Sequence, residues 1–177
     1  DFSPNNLYLA TASDDNIARV LSLQDNNKIT QIVHKQPVTS VAFSKDSRYL
    51  ATSSSDNIVR IWEWQTNKEI ARISHEAEIV SVRFSNNGRY LATGSNDNIS
   101  ILWDIKDNIH LARIVHEGEV MDIGFSNDGR YLATGSNDNI ARVWDLEQNE
   151  ESLRIVHEGP VVAVSFSHDS RYLATGS

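Results

Sequence analysis

Phe2, Phe43, Phe84, Phe125 and Phe166 recur every 41 residues, and His34, His75, His116 and His157 keep the same interval. A chain written in copies of one short unit does not fold as an ordinary globule. A unit of this size cannot cover its own faces, so about three or more must stack, and a fixed period of roughly 20 to 50 residues marks a solenoid, a propeller or an array. The period also argues against catalysis. An active site needs unlike groups converging on one point, whereas a tandem repeat delivers like groups at intervals along a scaffold.

Within each copy, apolar runs alternate with clusters of Asn, Asp, Ser and Gly. In VTSVAF, IVSVRF, VMDIGF and VVAVSF the larger apolar residues fall at every second position: Val41 and Phe43; Val80, Val82 and Phe84; Met121, Ile123 and Phe125; Val162, Val164 and Phe166. Period two is the strand signal. The turn that follows, SKDSR, SNNGR, SNDGR or SHDSR, carries Gly88 or Gly129 in two copies, where a positive backbone angle is expected. RYLATS or RYLATG reads as the second strand, IVRIWE, ISILWD or IARVWD as the third, and KEIARI, HLARIV or SLRIV as the fourth. No segment has the 3.6-residue rhythm of an amphipathic helix. Short loops between strands spaced about ten residues apart predict an antiparallel meander. The expected fold is all-β, a β-propeller of four-stranded blades with about four blades present.

Composition narrows the function. The net charge of -8 runs opposite to the basic footprint that a phosphate backbone requires, so nucleic acid is not an expected partner. No stretch approaches the roughly 20 apolar residues of a membrane span, and DFSPNNLY lacks the flanks and core of a signal peptide. There is no cysteine, hence no disulfide framework and no thiolate metal site, which favours a reducing, cytoplasmic setting. No cofactor is expected. One histidine per copy spreads the rings around a scaffold, whereas a metal needs ligands about 2 Å from one centre.

Trp103-Asp104 and Trp144-Asp145, with Trp62-Glu63 in register, resemble the tryptophan-aspartate pairs of the WD-repeat family, and the resemblance covers the whole chain. It implies a buried hydrogen-bonded chain of histidine, threonine, aspartate and tryptophan in each blade. The matching positions are His34, Thr52, Asp56 and Trp62; His75, Thr93, Asp97 and Trp103; His116, Thr134, Asp138 and Trp144. A blade packed between two others has to satisfy its buried donors, the indole N–H above all, which gives such a chain its physical sense. Read as a catalytic triad, His, Asp and Thr fare poorly: three identical triads would be redundant, and the threonines sit inside apolar strands.

The copies also depart from the family. Val33, Ser74, Val115 and Val156 stand where it usually has glycine before histidine, and Leu21 replaces the tryptophan of the first copy, leaving Thr11 and Asp15 without an aromatic partner. Arg83 and Asp122 interrupt small or apolar positions of first strands, either as contacts between blades or as a polar spot on the central channel.

The loops before the first strands and those between strands two and three are expected on one face. Lys35, Gln36, Glu76, Glu78, Glu117, Glu119, Glu158, Asn96 and Asn137 would line it, giving a mostly acidic rim for a protein or peptide partner of basic character. Units drawn on the histidines give a partial blade at 1–33, blades at 34–74, 75–115 and 116–156, and a partial blade at 157–177. The surplus strand RYLATG suggests an excerpt of a longer array, with a ring shared between two copies of the chain as the second possibility. The expected function is a non-catalytic protein-interaction scaffold. Copies as alike as Gly88–Ile99 and Gly129–Ile140, both GRYLATGSNDNI, are similar to those of cyanobacterial and other bacterial multidomain proteins. That resemblance implies, as an alternative, the sensor part of a signalling NTPase or protease. A propeller enzyme with groups at the channel mouth is a third, weaker possibility.

Overall fold

The computed structural model describes residues 1–24 and 28–177, apart from the side chains of Lys28 and Ile29. Its first sheet holds β1 (Tyr8–Thr11), β2 (Ile17–Ser22) and β3 (Lys28–Val33), with Phe2 bridged to Leu9 beside them. Three four-stranded sheets follow. They are β4 (Val38–Phe43), β5 (Tyr49–Ser54), β6 (Ile58–Glu63) and β7 (Lys68–Ser74); β8 (Ile79–Phe84), β9 (Tyr90–Ser95), β10 (Ile99–Asp104) and β11 (Ile109–Val115); and β12 (Val120–Phe125), β13 (Tyr131–Ser136), β14 (Ile140–Asp145) and β15 (Glu150–Val156). The last sheet pairs β16 (Ala163–Phe166) with β17 (Leu173–Gly176). Every pairing is antiparallel and every sheet is a meander in chain order, so each is a propeller blade. We number the blades one to five. The first strands β4, β8, β12 and β16 lie side by side, and the blades form an open arc rather than a closed ring.

The turns explain why the strands stop where they do. After each first strand the Ser44 hydroxyl, and likewise Ser85, Ser126 and Ser167, donates to the Asp or Asn two residues on and accepts the backbone N–H five residues on. The turn then needs a left-handed residue, supplied by Gly88 (φ 70°) and Gly129 (φ 74°), and by Ser47 and Ser170 at 58° and 60°. Asparagine fills the same role in the next two turns, with φ of 62° at Asn57, 70° at Asn98 and 68° at Asn139, and 53° or 54° at Asn67, Asn108 and Asn149. Asparagine tolerates this region because its short amide bonds locally to the backbone.

The first strands correct the expected alternation. Register slips between Val38 and Ser40, Ile79 and Ser81, and Val120 and Asp122, leaving Thr39, Val80 and Met121 as bulged residues. Ile79 and Val120 therefore take the buried places, while Val80 is turned outward and 42% exposed. A bulge adds one residue to one strand and reverses the facing of everything before it, which strict period two cannot reveal.

The core consists of the seams between blades. Ala51, Val59, Ile61 and Ile73 of one blade pack with Ile79, Val82 and Leu91 of the next, and Ala92, Leu102 and Ile114 with Val120, Ile123 and Leu132. At the seam of blades one and two, Trp64 is the largest fully buried side chain. Its ring meets Tyr8 and Phe43 edge-on, with centroids 4.8 and 6.0 Å away, and its indole N–H donates to the Ser47 carbonyl at 2.9 Å. Ile105 and Leu146 fill the same position in the following seams. Trp64→Ala is expected to cost about 3–5 kcal/mol in urea unfolding, through the cavity and the lost edge-on contacts; a change within about 0.5 kcal/mol would show that the first blade is not held by this seam.

Candidate functional site

One face of the arc is built from two kinds of loop tied together. In blade three the Asp97 carboxylate accepts the N–H of Ile99 at 3.0 Å and that of Glu76 at 2.9 Å, while the Ser95 hydroxyl donates to the Ala77 carbonyl at 3.1 Å. Blade four repeats this with Asp138, Ile140, Glu117, Ser136 and Gly118. Each loop that enters a first strand is thereby fastened to the turn between strands two and three. The exposed side chains on this face are held on rigid backbone.

The histidine, threonine, aspartate and tryptophan side chains meet differently in each blade. In blade three His75 Nδ1 donates to Asp97 at 2.9 Å and His75 Nε2 lies 2.8 Å from Thr93 Oγ1, but the Trp103 indole N–H has no partner. In blade four His116 lies 3.2 Å from Asp138 and 2.8 Å from Thr134, while Trp144 turns away to donate to Asn149 at 3.2 Å. In blade two Trp62 does donate to Thr52, at 3.0 Å, yet His34 makes no bond to Thr52 or Asp56. The continuous chain that the resemblance implies is not assembled whole in any blade. The indole sits on the third strand, where that of Trp62 reaches across to threonine and that of Trp144 swings toward the outer turn, while in blades three and four the histidine joins threonine to the turn aspartate without it. Thr52, Thr93 and Thr134 are completely buried, out of reach of any substrate.

An arginine missing from the sequence reading explains the differences. Arg60 sits beside His34 Nδ1 and forks onto Asp56 at 3.2 and 2.6 Å; Arg142 sits beside His116 Nδ1 and reaches Asp138 at 2.9 Å and Glu151 at 3.3 Å. Arg19 forks onto Asp15 in the same way in blade one, at 3.0 and 2.5 Å. A guanidinium only donates, so His34 Nδ1, which faces Arg60, must accept and the proton of that ring sits on Nε2, whereas His116 Nδ1 faces both the Arg142 guanidinium and the Asp138 carboxylate. In blade three the equivalent residue is Ile101, and His75 Nδ1 is free to donate to Asp97 instead. The signal was available as Arg19, Arg60 and Arg142, one and then two 41-residue periods apart inside apolar strands.

The electrostatics follow. Burial, aided by the neighbouring Arg60 or Arg142, pushes His34 and His116 down to about 4. Burial pushes the Asp138 carboxyl up, but the hydrogen bonds from Arg142 and the Glu117 N–H outweigh it and hold the group at about 2.

Outside this lattice, Lys35, Gln36, Glu76, Glu78, Glu117, Glu119, Glu158 and Asn137 are exposed, and Asn96 is half-buried with its N–H on the Glu78 carbonyl. The bulged Val80 stands 42% exposed among them, as does Val162 at 54%. Arg83 and Asp122 line one cleft of about 440 Å³ together with Lys45. Asp122 is half-buried and accepts the N–H of Val164 at 3.0 Å, a contact between blades four and five; Arg83 is exposed and donates only to the Val82 carbonyl at 3.1 Å. Of the two histidines outside the repeat, His168 lies in a turn, where Asn127 donates to its carbonyl, and His110 lies exposed on β11.

The folded pKa values of His34 and His116 lie below the unfolded value near 6.5, so the unfolded chain binds more protons between about pH 6.5 and 4. Stability from these groups is complete above that window and falls as pH drops through it. The melting temperature is expected to be lower at pH 4.5 than at pH 7 by on the order of 5 °C. A flat profile by differential scanning calorimetry would mean that the imidazoles are charged in the folded protein.

No curated protein matches the chain. The model of the family described as the IFT122 first beta-propeller matches residues 1–177, every blade and every seam described above. With repeated four-stranded antiparallel blades and a match that spans the sequence, the chain belongs to this beta-propeller family.

Proposed function

We propose that this propeller is a non-catalytic scaffold that binds a protein or peptide of basic character through the face carrying the acidic loops. The observation that carries the reading is the set of exposed carboxylates Glu76, Glu78, Glu117 and Glu119, displayed on loops pinned by the Asp97 and Asp138 ties, with Glu158 exposed at the matching place in blade five. Loops fastened at both ends lose little conformational freedom on binding, and clustered charge of one sign speeds and orients the encounter with the opposite sign. Propeller scaffolds generally bind proteins, which agrees with the family match. Further blades, from a longer chain or from a second copy, would complete the ring around this arc.

A second reading treats the propeller as the sensor part of a signalling NTPase or protease. It rests on the identity of Gly88–Ile99 with Gly129–Ile140, a likeness between copies that resembles bacterial multidomain proteins. A nucleotide-binding or protease motif in the same open reading frame would decide for it.

Charge reversal at Glu76, Glu117 and Glu158 together should weaken binding of a partner captured by pull-down at least about tenfold while leaving the melting temperature nearly unchanged, because all three side chains are solvent-exposed. The wild-type affinity should also fall as salt is raised. Unchanged affinity in the triple variant would move the interface to another surface.

A further inference from the structure

Blades two and four each hold a buried arginine against the aspartate of the turn, and blade three does not. Arg60 and Arg142 are 6% and 5% exposed, with their guanidinium groups engaged by Asp56, and by Asp138 and Glu151. At the same place on β10 stands Ile101, which reaches as far as the arginine δ carbon and lacks the guanidinium. Beside Ile101 lies a cleft of about 360 Å³, lined by Ser74, Glu76, Asp97, Ile99, Ile101, His110 and Arg113. Asp97 keeps the position of Asp56 and Asp138, its carboxylate held by the N–H groups of Glu76 and Ile99 and by His75.

We propose that this cleft is a docking site for an arginine side chain of a partner polypeptide, whose guanidinium would take the position that Arg60 and Arg142 occupy in the neighbouring blades. The inference deepens the reading of the propeller as a binder of basic partners and rests on it. Three observations support this occupant over another. The sister blades show, within the same chain, which group this geometry accepts: a guanidinium against the turn aspartate, forked onto Asp56 in blade two and singly bonded to Asp138 in blade four. The net charge agrees, since Asp97 and Glu76 outweigh Arg113 among the lining residues. Lastly, the substitution is double. His110 stands where blades two and four have Glu69 and Glu151, opposite tryptophan in the strand register, so blade three lacks both the buried arginine and the outer carboxylate, which bonds Arg142 in blade four, and keeps the inner one. An isolated loss of arginine would leave Asp97 without a counter-charge at the edge of a cleft on the loop face, where a partner can supply one.

The test uses the 177-residue chain with acetyl-Gly-Arg-Gly-amide and acetyl-Gly-Lys-Gly-amide, followed by two-dimensional NMR. The arginine peptide is expected to give saturable shifts at Glu76, Asp97, Ile101, His110 and Arg113, and the lysine peptide to bind about tenfold more weakly, because a point charge cannot fork onto the carboxylate. Ile101→Arg supplies the ligand from within the chain and should abolish the shifts without lowering the melting temperature. His110→Glu, an exposed change that leaves the core alone, should restore the outer carboxylate and tighten the arginine peptide several-fold. Shifts absent at these residues at millimolar peptide, equal binding of both peptides, or binding that survives Ile101→Arg would overturn the proposal. The tripeptides need no natural partner, so a cleft that ignores arginine fails on its own account even where the charge-reversal variant shows the acidic face to bind.

Discussion

Burial of one blade by the next is the constraint on which the rest of this structure depends. A four-stranded sheet has two faces and no helix here covers either, so the side chains of each blade are buried only where another blade lies against them. The seams therefore carry the core, as in the packing of Ile73 and Ile61 against Ile79 and Val82, and of Trp64 against Tyr8 and Phe43. The period of 41 residues is a consequence of this: each copy must present the same outline to its neighbour.

Stacking also encloses polar groups, and the blades solve that problem in two ways. Where arginine occupies the middle of the third strand, it bonds the turn aspartate and stands beside histidine Nδ1; where isoleucine does, histidine donates to the aspartate itself. Either arrangement gives the aspartate a partner. The loops it fastens become a rigid platform, which places the exposed carboxylates of Glu76 and Glu117 at fixed points of one face. In blade three the second arrangement leaves a cleft as well, so the same local choice decides both the protonation of a histidine and the shape of a surface.

Much of this was legible beforehand. Phe43, Phe84 and Phe125 close first strands, the Gly88 and Gly129 turns have positive φ, and the meander order follows from short loops. The bulges at Thr39, Val80 and Met121 were not legible, because an extra residue in one strand shows only against the register of its partner. Tryptophan partners were misjudged for a related reason: the reach of the Trp103 and Trp144 side chains depends on the rotamer their seam allows. Arg60 and Arg142 were visible as letters and overlooked because a charge inside an apolar strand reads as an outward residue until a carboxylate is found beside it.

The sequence by itself determined the class of fold, the unit and its copy number, since hydrophobic period, turn residues and repeat length are local properties that survive without coordinates. Tertiary structure alone decided which nitrogen of His34 and of His75 carries the proton, which way Val80 faces, and that a cleft lies beside Ile101 and Asp97. Those outcomes depend on atoms brought together from strands and loops some 20 or more residues apart, as with His75 and Asp97 or Arg60 and His34, and such meetings exist only once the blades have stacked.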